Sequence, residues 1–353
     1  MRADAKTRVV DLEARAREVL SPDVFRYFAE GTGDGHTLQE NRAAFARRRL
    51  IPSRRGLVQR PTTGTTVLGK PVALPALVAP LSFQHVLHPD GDRCTARAAA
   101  RAGTVMCLAL ASVTSPSGLA DAASQGRRWF QLQCFKDVSL TKRLIESAVD
   151  AGFEAVVFTA DSPYPGRRDR VLRRTAWLPE GTALPNWATA PTGRRDQQWS
   201  ASKTGWREDL ELLVGASPLP VIVKGVMSAA EARLAGDHGA AAVIVSNHGG
   251  RHVDGVPATL DVLEPVVREV GGELEVLIDG GVRSGDDVVK ALALGARAVL
   301  MGRPVAWALA TDGERGVVEL FETLREEIDS ALAAAGCSGA DAVPRAAVRP
   351  AGS

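Results

Sequence analysis

The sequence predicts an α/β fold in which eight parallel strands alternate with helices and close into a barrel. Three observations support this prediction. First, short apolar runs rich in Val, Ile, Leu and Phe recur along the chain, as expected of strands that are buried on both faces. Second, stretches rich in Ala, Glu, Arg and Leu separate most of these runs. Third, polar residues and glycines end or directly follow the runs.

The predicted strands and helices can be read directly from these patterns. The strands are Ala73–Ala79, Thr104–Ala109, Trp129–Gln133, Ala155–Thr159, Val221–Lys224, Ala242–Ser246, Val276–Ile278 and Ala298–Met301. The helices between them include Arg93–Arg101, Leu140–Ala151, Ala229–His238, Leu260–Val270 and Gly285–Leu294. A glycine follows several of these helices, which is typical of a helix C-terminus.

An open doubly wound sheet could also hold eight strands, and the positions of the polar residues decide between the two folds. Nearly every strand ends on, or next to, one of the residues Pro80, Gln131, Thr159, Lys224, Ser246, Asp279 and Gly302. In a closed barrel these ends converge on one face, where barrel enzymes place their active sites, whereas an open sheet would spread them along a line. We therefore predict a TIM (β/α)8 barrel.

We predict that residues 1–353 form a single domain. Residues 1–70 are expected to be a helical segment with a loop, residues 71–335 the barrel, and residues 336–353 a loose tail. The interval between strands four and five is much longer than the others. Its residues 165–219 contain several prolines and glycines, which predicts a long loop that acts as a lid or moves.

Composition limits the possible functions. The 43 basic residues nearly balance the 41 acidic ones, giving a net charge of +2, so we expect neither nucleic acid nor a membrane as partner. No apolar run approaches the ~18 residues of a membrane helix, and the charged N-terminus does not resemble a signal peptide. The four cysteines show no metal-ligand spacing, which predicts reduced thiols, no metal and a cytoplasmic location.

The segment Ser246–Arg251, SNHGGR, carries the first candidate chemistry. His248 follows a buried strand in a turn of small residues, where a neutral imidazole could accept a proton. Arg251 could offer a planar fork to a carboxylate. A base beside a carboxylate-binding group suits the removal of a proton from a 2-hydroxy acid. The alternative is a turn histidine beside a surface arginine.

Lys224 ends an apolar strand and should face the mouth of the barrel. A buried ammonium needs an anionic partner. Lys224 could form a Schiff base or balance negative charge on a cofactor ring, and the plain alternative is a lysine that reaches out to solvent. Asp161 could orient the ring of His248, or it could simply cap a helix. Gln131 and Thr159 could form hydrogen bonds with a heterocycle.

Two glycine-rich turns follow the seventh and eighth strands, Asp279–Arg283 and Gly302–Arg303. Glycine lets backbone N–H groups approach a phosphate closely, and arginine adds a bidentate positive charge. Phosphate sites at these two turns recur in barrels, so the turns predict a phosphorylated cofactor.

Four motifs resemble the FMN-dependent 2-hydroxy acid dehydrogenase/oxidase family, which includes glycolate oxidase, lactate oxidase and mandelate dehydrogenase. They are YFAEGTGDGHTLQENRAAF, VIVKGV, SNHGGRHVDGVPATLDVLEPV and LIDGGVRSGDDVVKALALGARAVLMGRPV. The similarity extends from about Asp23 to about Cys337. The resemblance implies FMN at the mouth of the barrel. It also implies a homo-oligomer, with a tetramer as the common state.

The resemblance assigns a role to each matching residue. His248 would be the base, oriented by Asp161, and Arg251 would bind the substrate carboxylate with Arg168 and Tyr27. Lys224 would stabilise negative charge on the reduced flavin. The remaining cofactor contacts would be the backbone at Pro80, Leu81 and Ser82 facing the flavin, Gln131, Thr159 and Ser246 at the ring and ribityl, and Asp279, Gly281, Arg283, Gly302 and Arg303 at the ribityl and phosphate.

The chain departs from the family pattern at three places. Gln133 replaces a tyrosine that normally contacts the substrate, and the loop after the second strand carries Ala109, Leu110 and Ala111 in place of serines and an aromatic residue. Ser82 replaces a smaller residue. The small residues of this loop predict the loss of a flavin contact, a wider pocket and a substrate bulkier than glycolate, of aryl or alkyl type. Ser82 would lie near the flavin edge that meets oxygen, and it bears on the electron acceptor.

The predicted activity is oxidation of an (S)-2-hydroxy acid to a 2-oxo acid, with reduced FMN reoxidised by oxygen or another acceptor. The alternative, suggested by Gln133, is oxidative decarboxylation or the tailoring oxidation of a secondary-metabolite intermediate. A flavin-binding protein without turnover and a Schiff-base aldolase that uses Lys224 are further hypotheses.

Overall fold

The computed structural model describes residues 9–53, 60–161, 178–179, 181–186 and 205–352. Eight parallel strands form a closed barrel in which each strand pairs with the next along the chain, and the last pairs with the first. The predicted TIM barrel is therefore confirmed. The eight strands all overlap the predicted runs, with ends that differ by up to three residues.

The described strands, in chain order, are β1 (Arg48–Leu50), β2 (Thr65–Val67), β3 (Lys70–Val72), β4 (Ala76–Val78), β5 (Val105–Leu108), β6 (Arg127–Leu132), β7 (Val156–Thr159), β8 (Val221–Val226), β9 (Ala242–Val245), β10 (Glu275–Asp279), β11 (Ala298–Met301) and β12 (Val348–Pro350). Strands β4 to β11 form the barrel. The described α-helices are α1 (Val9–Val19), α2 (Pro22–Ala29), α3 (His36–Ala46), α4 (Gly91–Ala102), α5 (Pro116–Ala122), α6 (Val138–Asp150), α7 (Trp206–Ala216), α8 (Ala229–Asp237), α9 (Thr259–Val270), α10 (Gly285–Ala293) and α11 (Arg303–Ala334).

The barrel strands divide their apolar side chains between two clusters. Alternate residues such as Trp129 and Ile222 belong to a compact cluster inside the barrel, while their neighbours Phe130 and Val223 pack outward against the helices. This alternation follows from the period of two in a strand. Because both faces are covered, the strands are apolar throughout, which is why simple runs of Val, Ile and Leu predicted them.

A hairpin of β2 and β3 lies beside the N-terminal ends of the barrel strands. Val67 and Val72 of this hairpin belong to the inner cluster, and the Leu68 backbone N–H donates to Glu275 at the start of β10 (2.8 Å). The predicted N-terminal helical segment, residues 1–70, contains helices α1 to α3. Its predicted end at residue 70 falls inside the hairpin, at the first residue of β3.

The C-terminal residues form a structured edge of the molecule, so the expectation of a loose tail was wrong. Strand β12 pairs antiparallel with β1, Val348 is fully buried, and Cys337 and Ala340 are also buried. Two strands of three residues, about 300 positions apart in sequence, carry too little pattern to be recognised separately.

Helices α5, α7 and α11 were not predicted. Helix α7 lies within the expected long loop of residues 165–219, most of which is outside the described residues. Helix α11 is kinked at Asp312 and Gly313. Over the part of the chain that the structure describes, no helix is both long and apolar enough to cross a bilayer.

The pairing of β12 generates a stability prediction. Deleting residues 347–353 removes the buried Val348 and the β1 ladder, and we expect it to cost about 2–4 kcal/mol and to lower the thermal midpoint by about 5 °C. Deleting only residues 352–353, which lie beyond the ladder, is the control. Calorimetry of both truncated proteins measures the effect, and equal midpoints would show that the tail contributes nothing.

Candidate active site

Polar side chains occupy the mouth of the barrel because they continue the inward-facing positions of the strands. Each lies two residues beyond an apolar residue of the inner cluster, as Gln131 follows Trp129 and Lys224 follows Ile222. The same relation places Thr159, Ser246 and Asp279. All five side chains are buried. The strand period therefore brings the predicted polar residues together at one end of the barrel.

His248 lies on a backbone turn of unusual shape. His248, Gly249 and Gly250 all have positive φ, with values of 55°, 62° and 73°. A left-handed conformation is unfavourable for a residue with a Cβ, so this turn must be held by its contacts. The His248 backbone N–H donates to Ser246 Oγ at 3.1 Å. The turn directs the imidazole toward Asp161.

The imidazole of His248 contacts the carboxylate of Asp161, with 3.1 Å between Nδ1 and Oδ1. A carboxylate accepts, so this contact assigns the ring proton to Nδ1 and leaves Nε2 as the basic nitrogen. The predicted orienting role of Asp161 therefore has the geometry that it requires.

The electrostatics keep this pair as a neutral base beside an ionised carboxylate. Burial lowers the pKa of His248, and the charges of Lys224 and Arg251 lower it further against the opposing effect of Asp161. Burial alone would raise the pKa of Asp161, but its contact with His248 and the charge of Lys224 outweigh it and hold the pKa well below its usual range. At neutral pH, His248 can thus accept a proton.

Lys224 is buried as an ion pair. Its Nζ lies 3.0 Å from Asp279 Oδ2 and donates to Ser246 Oγ at 2.8 Å. Burial lowers the pKa of Lys224, but the charges of Asp279 and Asp161 more than compensate, so the pKa is raised. The ammonium is retained, which disfavours both a Schiff-base nucleophile and a side chain that extends to solvent.

Arg251 is held in place by the C-terminal end of α2. Its Nη1 donates to the carbonyl oxygens of Tyr27 at 2.7 Å, Phe28 at 3.3 Å and Glu30 at 3.3 Å. Its guanidinium carbon lies 5.0 Å from the centre of the Tyr27 ring. Arg251 and Tyr27 thus lie together beside His248, so Arg251 is not the surface arginine of the alternative interpretation.

Two further arginines lie after the seventh and eighth barrel strands. Arg303 donates from Nε to the Phe28 carbonyl at 2.9 Å and from Nη1 to the Gly249 carbonyl at 3.1 Å. Burial and the neighbouring charges of Arg251 and Arg283 hold the pKa of Arg303 well below its usual range. Burial lowers the pKa of Arg283 to about 10. Partly buried guanidinium groups that cluster in this way call for an anion.

Two buried polar atoms test whether a phosphorylated flavin would fit. Asp279 Oδ1 and Arg283 Nε are buried without a hydrogen-bond partner in the structure. An acceptor beside the Lys224 pair and a donor at the arginine cluster match a polyol chain that leads to a phosphate. These residues therefore fit the ribityl and phosphate groups of FMN.

The remaining predicted residues also lie at the barrel mouth, except one. Gln131 Oε1 accepts from the Leu110 backbone N–H at 3.1 Å, and Gln133 is half-buried just beyond the end of β6. The partly buried residues Pro80, Leu81 and Ser82 follow β4, and a Cβ built on Gly302 would lie 3.8 Å from a Leu81 side-chain carbon. Arg168 is outside the described residues.

The sequence did not predict several residues that hold the turn His248–Gly250, which we call the catalytic turn. Asn41 and Asn247 form a reciprocal pair of amide hydrogen bonds, and Asp254 accepts three backbone N–H groups at the start of α3. His252 lies with its ring centre 4.1 Å from that of His248. Asn41 lies in the quoted motif HTLQENRAAF, but nothing in the motif pointed to a partner 206 positions away.

Asp161, His248 and His252 each bring a potential metal-ligand atom to within 4.8 Å of the others. Lys224 and Arg251 contribute positive charge at the same place, since both lower the pKa of His248. These charges oppose a bound cation, and the expectation of no metal stays a prediction.

Comparisons with known proteins agree with this geometry. The family model described as FMN-dependent dehydrogenase matches residues 16–350. The chain is 43% identical to an L-lactate oxidase of Nostoc sp., with 93% of this chain and 94% of the relative covered. It is 41% identical to a 4-hydroxymandelate oxidase of Amycolatopsis orientalis, with 96% of each chain covered. A mandelate oxidase structure with benzoyl-formic acid has a TM-score of 0.90 at 40% identity and covers 98% of both chains.

The fold and the site define a flavin-binding barrel enzyme. The chain belongs to the FMN-dependent dehydrogenase family, and its relatives oxidise 2-hydroxy acids. The predicted family, the FMN cofactor and the class of enzyme, an FMN-dependent 2-hydroxy acid oxidase or dehydrogenase, are therefore confirmed.

The lowered pKa of His248 generates a pH prediction. A base works only when neutral, so kcat/KM should fall as the pH drops through a pKa below the ordinary histidine value of 6.5. Asp161 raises this pKa, so Asp161→Asn should move the acid limb to still lower pH and should also slow turnover about 10- to 100-fold. Steady-state rates measured against pH test both effects.

Asp237→Asn on α8 removes a distant, exposed carboxylate and is the control for this prediction. An acid limb above the ordinary histidine value in the wild-type enzyme would contradict the assigned state of the His248–Asp161 pair.

The close approach of β8 to Asp161 generates a second prediction. Gly225 has a φ of 111°, and a Cβ on it would lie 2.7 Å from the Asp161 Cβ. Gly225→Ala should therefore displace Asp161 and lower kcat about 10- to 100-fold, since misplacement of about 1 Å can have that effect. Gly215→Ala, which meets open space on α7, is the control. Full activity in Gly225→Ala would show that the placement of Asp161 tolerates this change.

Proposed function

We propose that this enzyme oxidises (S)-2-hydroxy acids with side chains bulkier than that of glycolate, with His248 as base and Arg251 as the carboxylate-binding group. The observation that carries the proposal is the placement of the His248 imidazole, whose Nδ1 lies 3.1 Å from Asp161 and whose pKa is lowered in part by the charge of Arg251. FMN, when bound, accepts the two electrons that leave the substrate.

His248 supplies the proton acceptor. Its Nε2 takes the hydroxyl proton while the hydrogen on C2 leaves with two electrons, or it takes the C2 proton first in the carbanion route. The imidazole becomes an imidazolium in both routes. The ionised Asp161, 3.1 Å from Nδ1, then stabilises the new positive charge, which lowers the barrier to transfer.

Arg251 orients the substrate. Three carbonyl oxygens hold one end of its guanidinium, so little conformational freedom is lost when a carboxylate binds. Tyr27, which is stacked under this guanidinium, and Arg168 complete the proposed carboxylate site. A carboxylate fixed at Arg251 presents the adjacent C2 and its hydroxyl to His248.

Lys224 supplies positive charge on the side of the site that faces the barrel interior. Its ammonium is paired with Asp279, and the charges of Asp279 and Asp161 keep it protonated although it is buried. We propose that this charge stabilises the extra negative charge of the reduced cofactor. Asp279, Arg283 and Arg303 would hold the ribityl and phosphate groups, with Gly281 and Gly302 in their turns. Gln131, Thr159, Ser246 and the backbone at Pro80, Leu81 and Ser82 would contact the ring system.

Small residues and an aromatic pair near the site support an aryl or large alkyl substrate. The loop after β5 carries the small residues Ala109 and Ala111, and the rings of Tyr27 and Phe83 meet edge to face with centres 5.9 Å apart. An aromatic side chain of the substrate could pack against such a pair. Relatives named 4-hydroxymandelate oxidase and mandelate oxidase support this substrate class.

Gln133 favours a second candidate function, oxidative decarboxylation. A glutamine stands where the family pattern has a phenol, so the site lacks the hydroxyl that the family pattern places against the substrate. Peroxide formed from oxygen would convert the 2-oxo acid into the shortened acid, carbon dioxide and water. Product analysis distinguishes this outcome from release of the intact 2-oxo acid and peroxide.

Three further properties stay predictions. They are a homo-oligomer, with a tetramer as the state that the resemblance favours, a cytoplasmic location, and reoxidation by oxygen or by another acceptor. Light scattering of the purified protein measures the first property. The rate of flavin reoxidation with oxygen and with a quinone measures the third.

The central test is anaerobic reduction of the FMN-loaded enzyme by a panel that includes mandelate, lactate and glycolate. We expect the flavin absorbance to bleach fastest with an aryl or alkyl (S)-acid. His248→Ala should bind FMN normally but bleach about 10²- to 10⁴-fold more slowly. His238→Ala, at the C-terminus of α8, is the matched control. Rapid bleaching in His248→Ala would contradict the proposed base.

A further inference from the structure

The segment TLQENRAAF forms most of helix α3 and supplies no group to the chemistry described above. One of its residues, Asn41, has only 1% of its surface exposed. It lies between the turn that carries His248 and the turn that follows β10. A buried amide must satisfy its donors and acceptors within the protein, so its partners show what it holds.

The Asn41 side chain holds the catalytic turn. Its Nδ2 donates to Asn247 Oδ1 at 2.8 Å, and Asn247 Nδ2 donates back to Asn41 Oδ1 at 2.8 Å. Asn41 Oδ1 also accepts from the Thr259 backbone N–H at 3.2 Å. Asn247 directly precedes His248, and its Oδ1 also accepts from the Gly250 N–H at 3.3 Å. The reciprocal pair therefore braces the left-handed backbone that presents the imidazole.

The backbone of Asn41 contacts the turn Asp279–Arg283, which would hold the FMN phosphate. A Cβ built on Gly281 would lie 2.0 Å from the Asn41 carbonyl oxygen, and a Cβ on Gly280 would lie 3.3 Å from Asn41 Nδ2. Both glycines have positive φ. The turn after β10 therefore rests directly on Asn41, and Arg283 follows two residues later. One residue thus contacts the turn of the base and the turn that would hold the phosphate.

Helix α3 is itself anchored to the segment that follows the catalytic turn. Asp254 accepts backbone N–H groups of Asp34 at 2.9 Å, Gly35 at 3.0 Å and Thr37 at 2.8 Å. Backbone hydrogen bonds, that of Thr37 first, lower the pKa of Asp254 to about 2, so the carboxylate stays ionised at the positive end of the helix. Asp254 therefore fixes the start of helix α3, the helix that carries Asn41.

We propose that Asn41 is a positioning residue that couples the placement of His248 to the FMN phosphate turn. The inference rests on the proposed role of His248 as base. The Asn41 amide reaches the second turn through Thr259, whose backbone N–H donates to Asn41 Oδ1 and whose Oγ1 donates to the Asp279 carbonyl oxygen at 2.6 Å. Loss of the amide hydrogen bonds therefore loosens both turns, and the enzyme loses rate and cofactor affinity together.

The test uses the full-length enzyme with Asn41→Leu, which keeps the volume but removes the hydrogen bonds. We expect kcat to fall about 10- to 100-fold. We expect the FMN dissociation constant, measured by quenching of flavin fluorescence, to rise about 3- to 10-fold, as the loss of a buried hydrogen bond implies. Gln39→Ala, exposed on the same helix, is the matched control.

A pH profile separates positioning from simple loss of stability. The groups that face His248 are Asp161, Lys224, Arg251 and His252. A loosened turn admits water, which relieves the burial that most lowers the His248 pKa, so the acid limb of kcat/KM should move to higher pH in Asn41→Leu. A variant that was merely less stable would melt earlier but keep the wild-type limb.

The following results decide whether Asn41 is a positioning residue. Wild-type kcat, FMN affinity and acid limb in folded Asn41→Leu would overturn the inference while leaving the proposed function intact. If Asn41→Leu does not fold, Asn41→Ser, which can keep only one of the paired hydrogen bonds, is measured in the same three ways against the same criteria. Rapid bleaching in His248→Ala would instead refute the proposed function, whatever Asn41 does.

Discussion

The contact between His248 and Asp161 is the constraint on which the rest of the site depends. It requires a left-handed turn at a residue with a side chain and a strand that approaches Asp161 so closely that only glycine fits at position 225. Neither feature is favourable alone. They persist because the hydrogen bond that the His248 N–H donates to Ser246 Oγ, together with the Asn41–Asn247 pair, fixes the surrounding backbone, and the result is one basic nitrogen at the barrel mouth.

The positive charges of the site form two groups, one paired with a carboxylate and one hydrogen-bonded to carbonyl oxygens. Lys224 is balanced by Asp279, so its ammonium persists although it is buried. The guanidinium groups of Arg283 and Arg303 are partly buried, with carbonyl oxygens as their hydrogen-bond partners. A phosphate would relieve this excess of positive charge. Cofactor binding should therefore contribute much to the stability of the C-terminal half of the barrel.

The sequence predicted the barrel well because its strands are buried on both faces, which makes them continuous apolar runs. It also predicted the polar residues of the barrel mouth. Every second side chain of a strand points into the barrel, so the polar residue at the end of each strand points inward as well. Lys224 and Asp279 illustrate this. Their ion pair across the barrel follows from the fold, whereas the exact partner of each could not be read from either segment alone.

The missed features share a physical cause, which is pairing between distant short segments. Strands β1 and β12 contain three residues each, and Asn41 and Asn247 are single residues in different elements. The carbonyl oxygens that hold Arg251 belong to a helix end whose backbone has no sequence signature. Such contacts depend on the packed fold, so local pattern carries no information about them.

The most direct test of the central claim is a crystal structure of the FMN-loaded enzyme with a bound 2-oxo acid such as benzoylformate. We predict His248 Nε2 within hydrogen-bond distance of the 2-oxo oxygen, the carboxylate on Arg251, and the FMN phosphate on Arg283 and Arg303. A ligand carboxylate bound away from Arg251, or an imidazole turned away from both Asp161 and the ligand, would contradict this mechanism.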